Sequence, residues 1–291
     1  MKTTGCDLMS TATLDLVIIT GLSGSGKSVA LAALEDAGYY CVDNLPGRLF
    51  NQLVDVLIAA GHPRAAITMD ARSGDDMSGF KQYIASLDTR GISRKLIYLD
   101  AKDETLIKRF SETRRRHPLY DGKRTIADCI AADRKLLEGA AELAGHIDTS
   151  DLAPNALRAW VRNAVSAPRG GLTLIFESFG FKNGLPIDAD FVFDVRVLPN
   201  PHYDPNLKHL TGRDAEIIAF MQGVPEAGDM CEDIRRYIEK WLAAFVRDNR
   251  RYLTVAIGCT GGRHRSVYFA EQLARAFEPS TPVLLRHRGL S

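Results

Sequence analysis

The sequence is short of several things at once. It has almost no net charge, with 37 Lys+Arg against 36 Asp+Glu. No global field is therefore present to gather a polyanion, and nucleic-acid binding would need a local patch. Its five cysteines (Cys6, Cys41, Cys129, Cys231 and Cys259) are scattered and odd in number. They form no C-x-x-C pair and no Cys/His cluster with zinc spacing, which argues against a disulfide framework and for a reducing, cytoplasmic compartment. No run approaches the roughly 18 apolar residues of a spanning helix, so no membrane partner is expected. The opening MKTTGCDLMSTAT lacks the apolar centre of a secretory signal and reads as a frayed extension. Internal repeats and low-complexity stretches are also missing. What is there is ordinary: 291 residues, 45% hydrophobic and 25% charged, enough for a sizeable core in one large domain or two.

Short apolar runs alternate with amphipathic ones. The runs at 14–20, 39–43, 64–70, 94–100 and 145–150 predict strands, with helices over KSVALAALEDAG, RLFNQLVDVLIAAG and DETLIKRFSETRRR between them. Continuous apolar runs in a βαβα order imply a parallel sheet covered on both faces. The stretch SAPRGG (166–171) interrupts the pattern as a linker or boundary. A second series follows: strands at 172–180, 252–258 and 281–286, a strand running into a Pro-rich loop over 188–201, and helices over CEDIRRYIEKWLAAFVRDN and HRSVYFAEQLARAFE. The expected fold is α/β in two parts. A P-loop domain with a kinase-like parallel sheet covers 14–153, and a second α/β domain covers 154–291.

GLSGSGKS (21–28) fits G-x-x-x-x-G-K-S and lies directly after a strand and before a helix. Gly21, Leu22, Ser23, Gly24, Ser25 and Gly26 form a loop whose backbone N–H groups and following helix N-terminus favour phosphates. Lys27 is placed to reach the β/γ-phosphates, and Ser28 to ligate Mg²⁺. A carboxylate that orients the metal should end a neighbouring strand. Asp43, Asp70 and Asp100 all do so, with Asp43 and Asp70 the best placed; a capping or turn aspartate is the alternative for each. Arg114, Arg115 and Arg116 follow an amphipathic helix, either as a lid over a transferred phosphate or as a solvated helix end. With Lys27 and Asp43 in catalytic roles, this constellation also suits a small-molecule P-loop kinase.

GCTGGRHRS (258–266) joins another apolar strand to another helix. Cys259, five residues, Arg265 and Ser266 reproduce the spacing of a cysteine phosphatase loop, in which a thiolate attacks phosphorus and arginine grips the phosphate. No histidine precedes the cysteine, and no aspartate loop stands out as general acid. The alternatives are a phosphate cradle without a nucleophile, or a structural turn; the cradle is the favoured reading, with Cys259 a small buried hydrophobe. The loop VLPNPHYDPNLKHLTGRD (197–214) puts His202, Asp204, Lys208 and His209 at a strand end, where ligands bind in open sheets. ESFGFKNG adds Glu177 and Lys182 at another.

GLSGSGKSVALAALEDAGYYCVDNLP, LIFESFGFKNGLPIDADFVFDVRVLPNPHYDP and YLTVAIGCTGGRHRSVYFAEQLA together resemble the RapZ/YvcJ family of P-loop nucleotide-binding proteins, from about residue 15 to 288. The resemblance implies binding and slow hydrolysis of ATP and GTP with Mg²⁺, the ATP site at Gly21–Ser28 and a guanine-nucleotide assignment on Asp70, Ala71, Arg72 and Ser73. It further implies that some members are regulatory adaptors which present a small regulatory RNA to an endoribonuclease. Those members sense an amino-sugar phosphate, here through His202, Thr260, Gly261, His264 and Arg265. The basic C-terminal positions of such members correspond to Arg286 and Arg288, a patch that neutralises few phosphates. Homo-oligomers are expected, since several weak patches gain avidity when arrayed.

Overall fold

In the computed structural model, residues 14–72, 77, 79–166, 172–248, 250 and 252–290 are described. The first series of elements is β1 (Asp15–Gly21), α1 (Lys27–Glu35), β2 (Tyr40–Val42), α2 (Phe50–Ala59), β3 (Arg64–Thr68), α3 (Phe80–Thr89), β4 (Ser93–Asp100), α4 (Asp103–Thr113), α5 (Ile126–Leu136), α6 (Glu138–Ala141) and β5 (Gly145–Asp148). The second is α7 (Pro154–Ser166), β6 (Thr173–Gly180), β7 (Phe191–Asp194), α8 (Ala215–Gln222), α9 (Pro225–Arg247), β8 (Tyr252–Cys259), α10 (Arg265–Phe277) and β9 (Val283–His287). Two sheets result, of order β2-β3-β1-β4-β5 and β7-β8-β6-β9. In the first, β1 pairs parallel with β3 and β4, and β3 with β2. In the second, β6 pairs parallel with β8 and β9, and β8 with β7.

The central strands follow from their composition. Every residue of β1 (DLVIITG) and of β6 (TLIFESFG) is buried, as a strand covered on both faces requires. The outer strands are shorter than their apolar runs suggest. β2 keeps three residues and β7 four, the latter with alternating burial, because each has a partner on one side only. Helices α3, α5, α6, α7 and α8 were not foreseen. In α7 the signal is nevertheless visible: Leu157, Val161 and Ala164 form the buried stripe at i, i+4 and i+7. In α5 it is a capping box between Thr125 and Asp128.

The chain divides into two compact units. One holds the described residues up to Leu99 together with Leu106–Ala144; the other holds Asp100–Thr105 together with Gly145 onward. The core of the second gathers Phe176, Val255, Ile257, Phe269 and Phe277 between its sheet and α9 and α10. Among the described residues, no helix is long and apolar enough to cross a membrane.

Candidate functional site

Each unit carries one strand–loop–helix corner built around a cation. In the first, β1 ends at Gly21, whose φ of +136° and close approach to β4 demand glycine; a Cβ there would collide with the Leu99 carbonyl. Leu22 N–H then donates to that carbonyl at 3.1 Å. The loop turns through Gly24 and Gly26, and α1 starts at Lys27 with no side-chain cap. A helix N-terminus so built attracts anions.

Lys27 folds back over this loop. Its Nζ donates to the carbonyls of Gly21 (2.8 Å) and Leu22 (3.0 Å) and lies 3.4 Å from Asp70 Oδ2. Burial lowers its pKa, with Asp70 and Asp133 pulling the other way. Asp70 follows β3, the strand beside β1, and is itself buried. Arg72 grips it through Nε (3.0 Å) and Nη2 (2.8 Å), and also through its backbone N–H (3.0 Å). Burial pushes the Asp70 carboxyl up, but the Arg72 hydrogen bonds and the Lys27 charge outweigh it and hold it below the usual carboxylate range.

Of the carboxylates foreseen from the sequence, the one that meets Lys27 is therefore Asp70. Asp43 sits exposed after β2 and accepts the Thr68 hydroxyl at 2.5 Å; its charge reaches Arg72. Asp100 turns back to accept the Ala101 N–H. Ser28, the other expected metal ligand, lies exposed on the first turn of α1. In the stretch expected to hold a guanine nucleotide, the Asp70 side chain is 3% exposed, with its oxygens engaged by Arg72 and Lys27. Ala71 is buried, and Ser73 lies outside the described residues. Arg114, Arg115 and Arg116 are exposed beyond α4.

Sequence reasoning missed two supports of this loop. Asp133 on α5 accepts the Ser23 N–H at 2.8 Å and lies 3.4 Å from His117 Nε2, with both side chains buried. Arg109 on α4 donates to the Gly24 carbonyl at 3.1 Å.

In the second unit, β8 runs buried to Cys259, and α10 begins at Arg265. Gly262, at φ +73°, packs so tightly on the end of β6 that a Cβ would lie 2.6 Å from the Gly180 nitrogen. This fold of the loop brings the Gly262 N–H to 3.2 Å from Cys259 Sγ, and Ser266 Oγ to 3.1 Å from the same atom. Cys259 is buried as expected. Burial raises its pKa, yet hydrogen bonds from Ser266 and from the Gly262 and Arg263 amides outweigh that, and the thiol ends below its ordinary value.

Arg265 is 3% exposed. Its Nη1 is anchored on the carbonyls of Arg196 (2.9 Å) and Leu198 (2.6 Å), and Nη2 lies 3.5 Å from Thr260 Oγ1. Among the described residues, its buried Nε has no hydrogen-bond partner, and neither has the buried Nε2 of His264. Burial lowers the His264 pKa. His202, on the 197–214 loop, brings its ring centroid 6.2 Å from that of His264. Thr260 and Gly261 complete the loop, so the five residues expected to hold a phosphorylated ligand are gathered at one corner. The carbonyl anchor was not legible in the sequence. It comes from Arg196, which is itself paired with Asp194 and stacked 3.9 Å over the Phe181 ring.

The expected basic patch lies on and just after β9. Arg286 and Arg288 do not stand free at the surface. Arg286 donates to the Asp148 carbonyl at 2.6 Å and lies near Asp188 and Glu177. Arg288 pairs with Asp148 (2.7 Å), Asp151 (2.6 Å) and Glu177 (3.3 Å), its side chain 5% exposed. Glu177 is fully enclosed rather than at the loop mouth. Burial first and Asp188 next push its carboxyl up to about 7, against the pull of the two arginines.

Two family models match the two parts of the chain. Residues 14–169 match the RapZ-like N-terminal domain, and residues 172–291 match the RapZ C-terminal domain. A nucleotide-binding protein of Aromatoleum aromaticum is 55% identical over 278 residues, covering 95% of both chains. One of Thiobacillus denitrificans is 53% identical over 278 residues, covering 96% of this chain and all of the relative. Among solved structures, a sugar kinase from Janibacter is 17% identical, with a TM-score of 0.38, and covers 53% of this chain and 93% of its own. A shikimate kinase from Acinetobacter baumannii is 13% identical, with a TM-score of 0.33, and covers 54% and 94%. The chain belongs to the RapZ-like family of nucleotide-binding proteins.

Proposed function

We propose that this chain is a regulatory nucleotide-binding protein with slow ATPase and GTPase activity, whose second unit senses a phosphorylated metabolite of the amino-sugar phosphate class. The nucleotide lies over Gly21–Ser28, with Lys27 on its phosphates and Mg²⁺ held by Ser28 and Asp43. The donor set fits these groups. The loop supplies main-chain amides at a helix N-terminus, and Asp43 and Ser28 are exposed oxygen ligands.

The observation that carries the second half of the reading is the Arg265 side chain. With Nη1 fixed on two carbonyls, its Nε–Nη2 edge is the fork that grips a phosphate bidentately. Its enclosed Nε is an expense the fold bears without a compensating protein acceptor. His264 Nε2 offers a further polar atom at the same corner.

An adaptor role toward a small regulatory RNA and an endoribonuclease, in the cytoplasm and as a homo-oligomer, extends this reading. It would have to use cations other than Arg286 and Arg288. A second reading, small-molecule kinase, is favoured by Asp43 alone: an exposed carboxylate, held by Thr68, that could accept a proton from an acceptor hydroxyl.

Calorimetric titration with glucosamine 6-phosphate tests the sensing half. Arg265→Ala should abolish the heat of binding and leave ATP binding intact. Equal affinity in the variant would refute it. Screening sugars and nucleosides for one that multiplies ADP production decides the kinase alternative.

A further inference from the structure

The second corner holds more than a cradle needs. Cys259 closes β8 where the loop begins, with the Gly262 amide 3.2 Å and the Ser266 hydroxyl 3.1 Å from sulfur. Arg265 stands six residues on, at the first turn of a 13-residue helix, with its anchored guanidinium turned to the same loop at Thr260. The amide donates to sulfur, and the Ser266 hydroxyl can donate to it once the thiol has lost its proton, so both can stabilise a thiolate that attacks and later departs.

We propose that Cys259 is a catalytic nucleophile and that this loop is a slow phosphomonoesterase working through a phosphocysteine. The proposal rests on the reading above that the loop binds a phosphate ester. It adds that the bound ester is turned over.

The Cys259 thiolate attacks phosphorus on the side opposite the ester oxygen. The S–P bond forms as the P–O bond breaks, and the bonding pair leaves on the ester oxygen. The Nε–Nη2 edge of Arg265 holds the non-bridging oxygens throughout. Water then attacks phosphorus, gives its proton to solvent, and breaks the S–P bond. Inorganic phosphate departs and the thiolate is restored; no oxidant or reductant is involved.

Ser266 and the loop amides take the part that a histidine before the cysteine would otherwise play. The nearby carboxylate, Asp194, is bound by both arms of the Arg196 fork. The leaving oxygen therefore draws its proton from water, which favours aryl over alkyl esters and makes turnover slow. The lowered thiol pKa described above is consistent with this arrangement.

The test uses the full-length chain with p-nitrophenyl phosphate in the presence of a chelator, and calorimetry with inorganic phosphate alongside. The expected result is steady release of p-nitrophenolate, lost by about 100-fold or more in Cys259→Ser and reduced about 10-fold in Ser266→Ala. Phosphate binding should persist in both variants. Acid-quenched wild type should carry a phosphate adduct on the Cys259 peptide, a readout that stands even where a variant fails to fold. Binding of phosphate without hydrolysis, or hydrolysis undiminished in Cys259→Ser, overturns the nucleophile and leaves the cradle standing. Neither binding nor hydrolysis overturns both.

Discussion

The two corners share a plan and differ in the state of their cation. Each follows a largely buried strand, turns through a glycine at positive φ, and opens a helix. In the first, Lys27 is satisfied by its own loop, through the Gly21 and Leu22 carbonyls and Asp70. In the second, Arg265 is fixed at one end and open along the other. A phosphate entering the first corner has to draw Lys27 away from contacts it already makes. One entering the second meets a fork already aimed. On the proposed reading, similar local sequence grammar builds one site that rearranges to bind and one that is set beforehand.

The hardest blow to this comparison falls on Lys27. Lys27→Ala should cost nucleotide affinity about 100-fold or more, since it removes charged donors and strips Asp70 of a counter-ion, and it should leave glucosamine 6-phosphate binding unchanged. Equilibrium binding of a fluorescent ATP analogue measures the first effect and calorimetry the second.

The mirror variant is Arg265→Ala, expected to cost about 100-fold at the second corner while sparing nucleotide. Arg265→Lys sharpens it. The charge survives without the bidentate fork, so affinity should fall between wild type and alanine.

Next comes the loop that aims the fork. Gly262→Ala places a side chain at φ +73° and against Gly180, and should destabilise the second unit by about 1–3 kcal/mol, read as a lower unfolding temperature.

A smaller, pH-dependent effect belongs to Glu177. Its folded pKa of about 7 lies above the ordinary value of 4.5. The unfolded chain thus releases this proton first as pH rises, and the stability linked to it is present below about 4.5 and lost through 7. Glu177→Gln should flatten the decline of unfolding temperature across that window. An unchanged slope would place the titration elsewhere.

Smallest is His202→Ala. The ring is exposed and approaches only His264 and Tyr203, so about a threefold loss of sugar-phosphate affinity is expected, of the order of one weak hydrogen bond.

Legibility in the sequence followed distance along the chain. Gly21–Ser28 and Cys259–Ser266 could be read because strand end, loop and helix start are contiguous, and the central strands because both faces are apolar. Asp133 could not, lying 110 residues from the Ser23 amide it accepts. The anchor on Arg265 could not either, because it is a backbone carbonyl 69 residues away, and carbonyls leave no mark in composition. The surroundings of Arg286 and Arg288 were hidden for a related reason. Read alone they are a basic patch, whereas their partners Asp148, Glu177 and Asp188 come from three separate segments. The partners of Asp70 and Cys259 likewise appear only in the folded chain.

The most direct measurement is a crystal soaked with a non-hydrolysable ATP analogue and glucosamine 6-phosphate together. The account predicts the triphosphate over Gly21–Ser28, with Lys27 Nζ withdrawn from the Gly21 and Leu22 carbonyls, and the sugar phosphate within hydrogen-bond reach of Arg265 Nε and Nη2 while Nη1 keeps Arg196 and Leu198. A phosphate bound away from that fork, or Lys27 unmoved beneath a bound triphosphate, would contradict it.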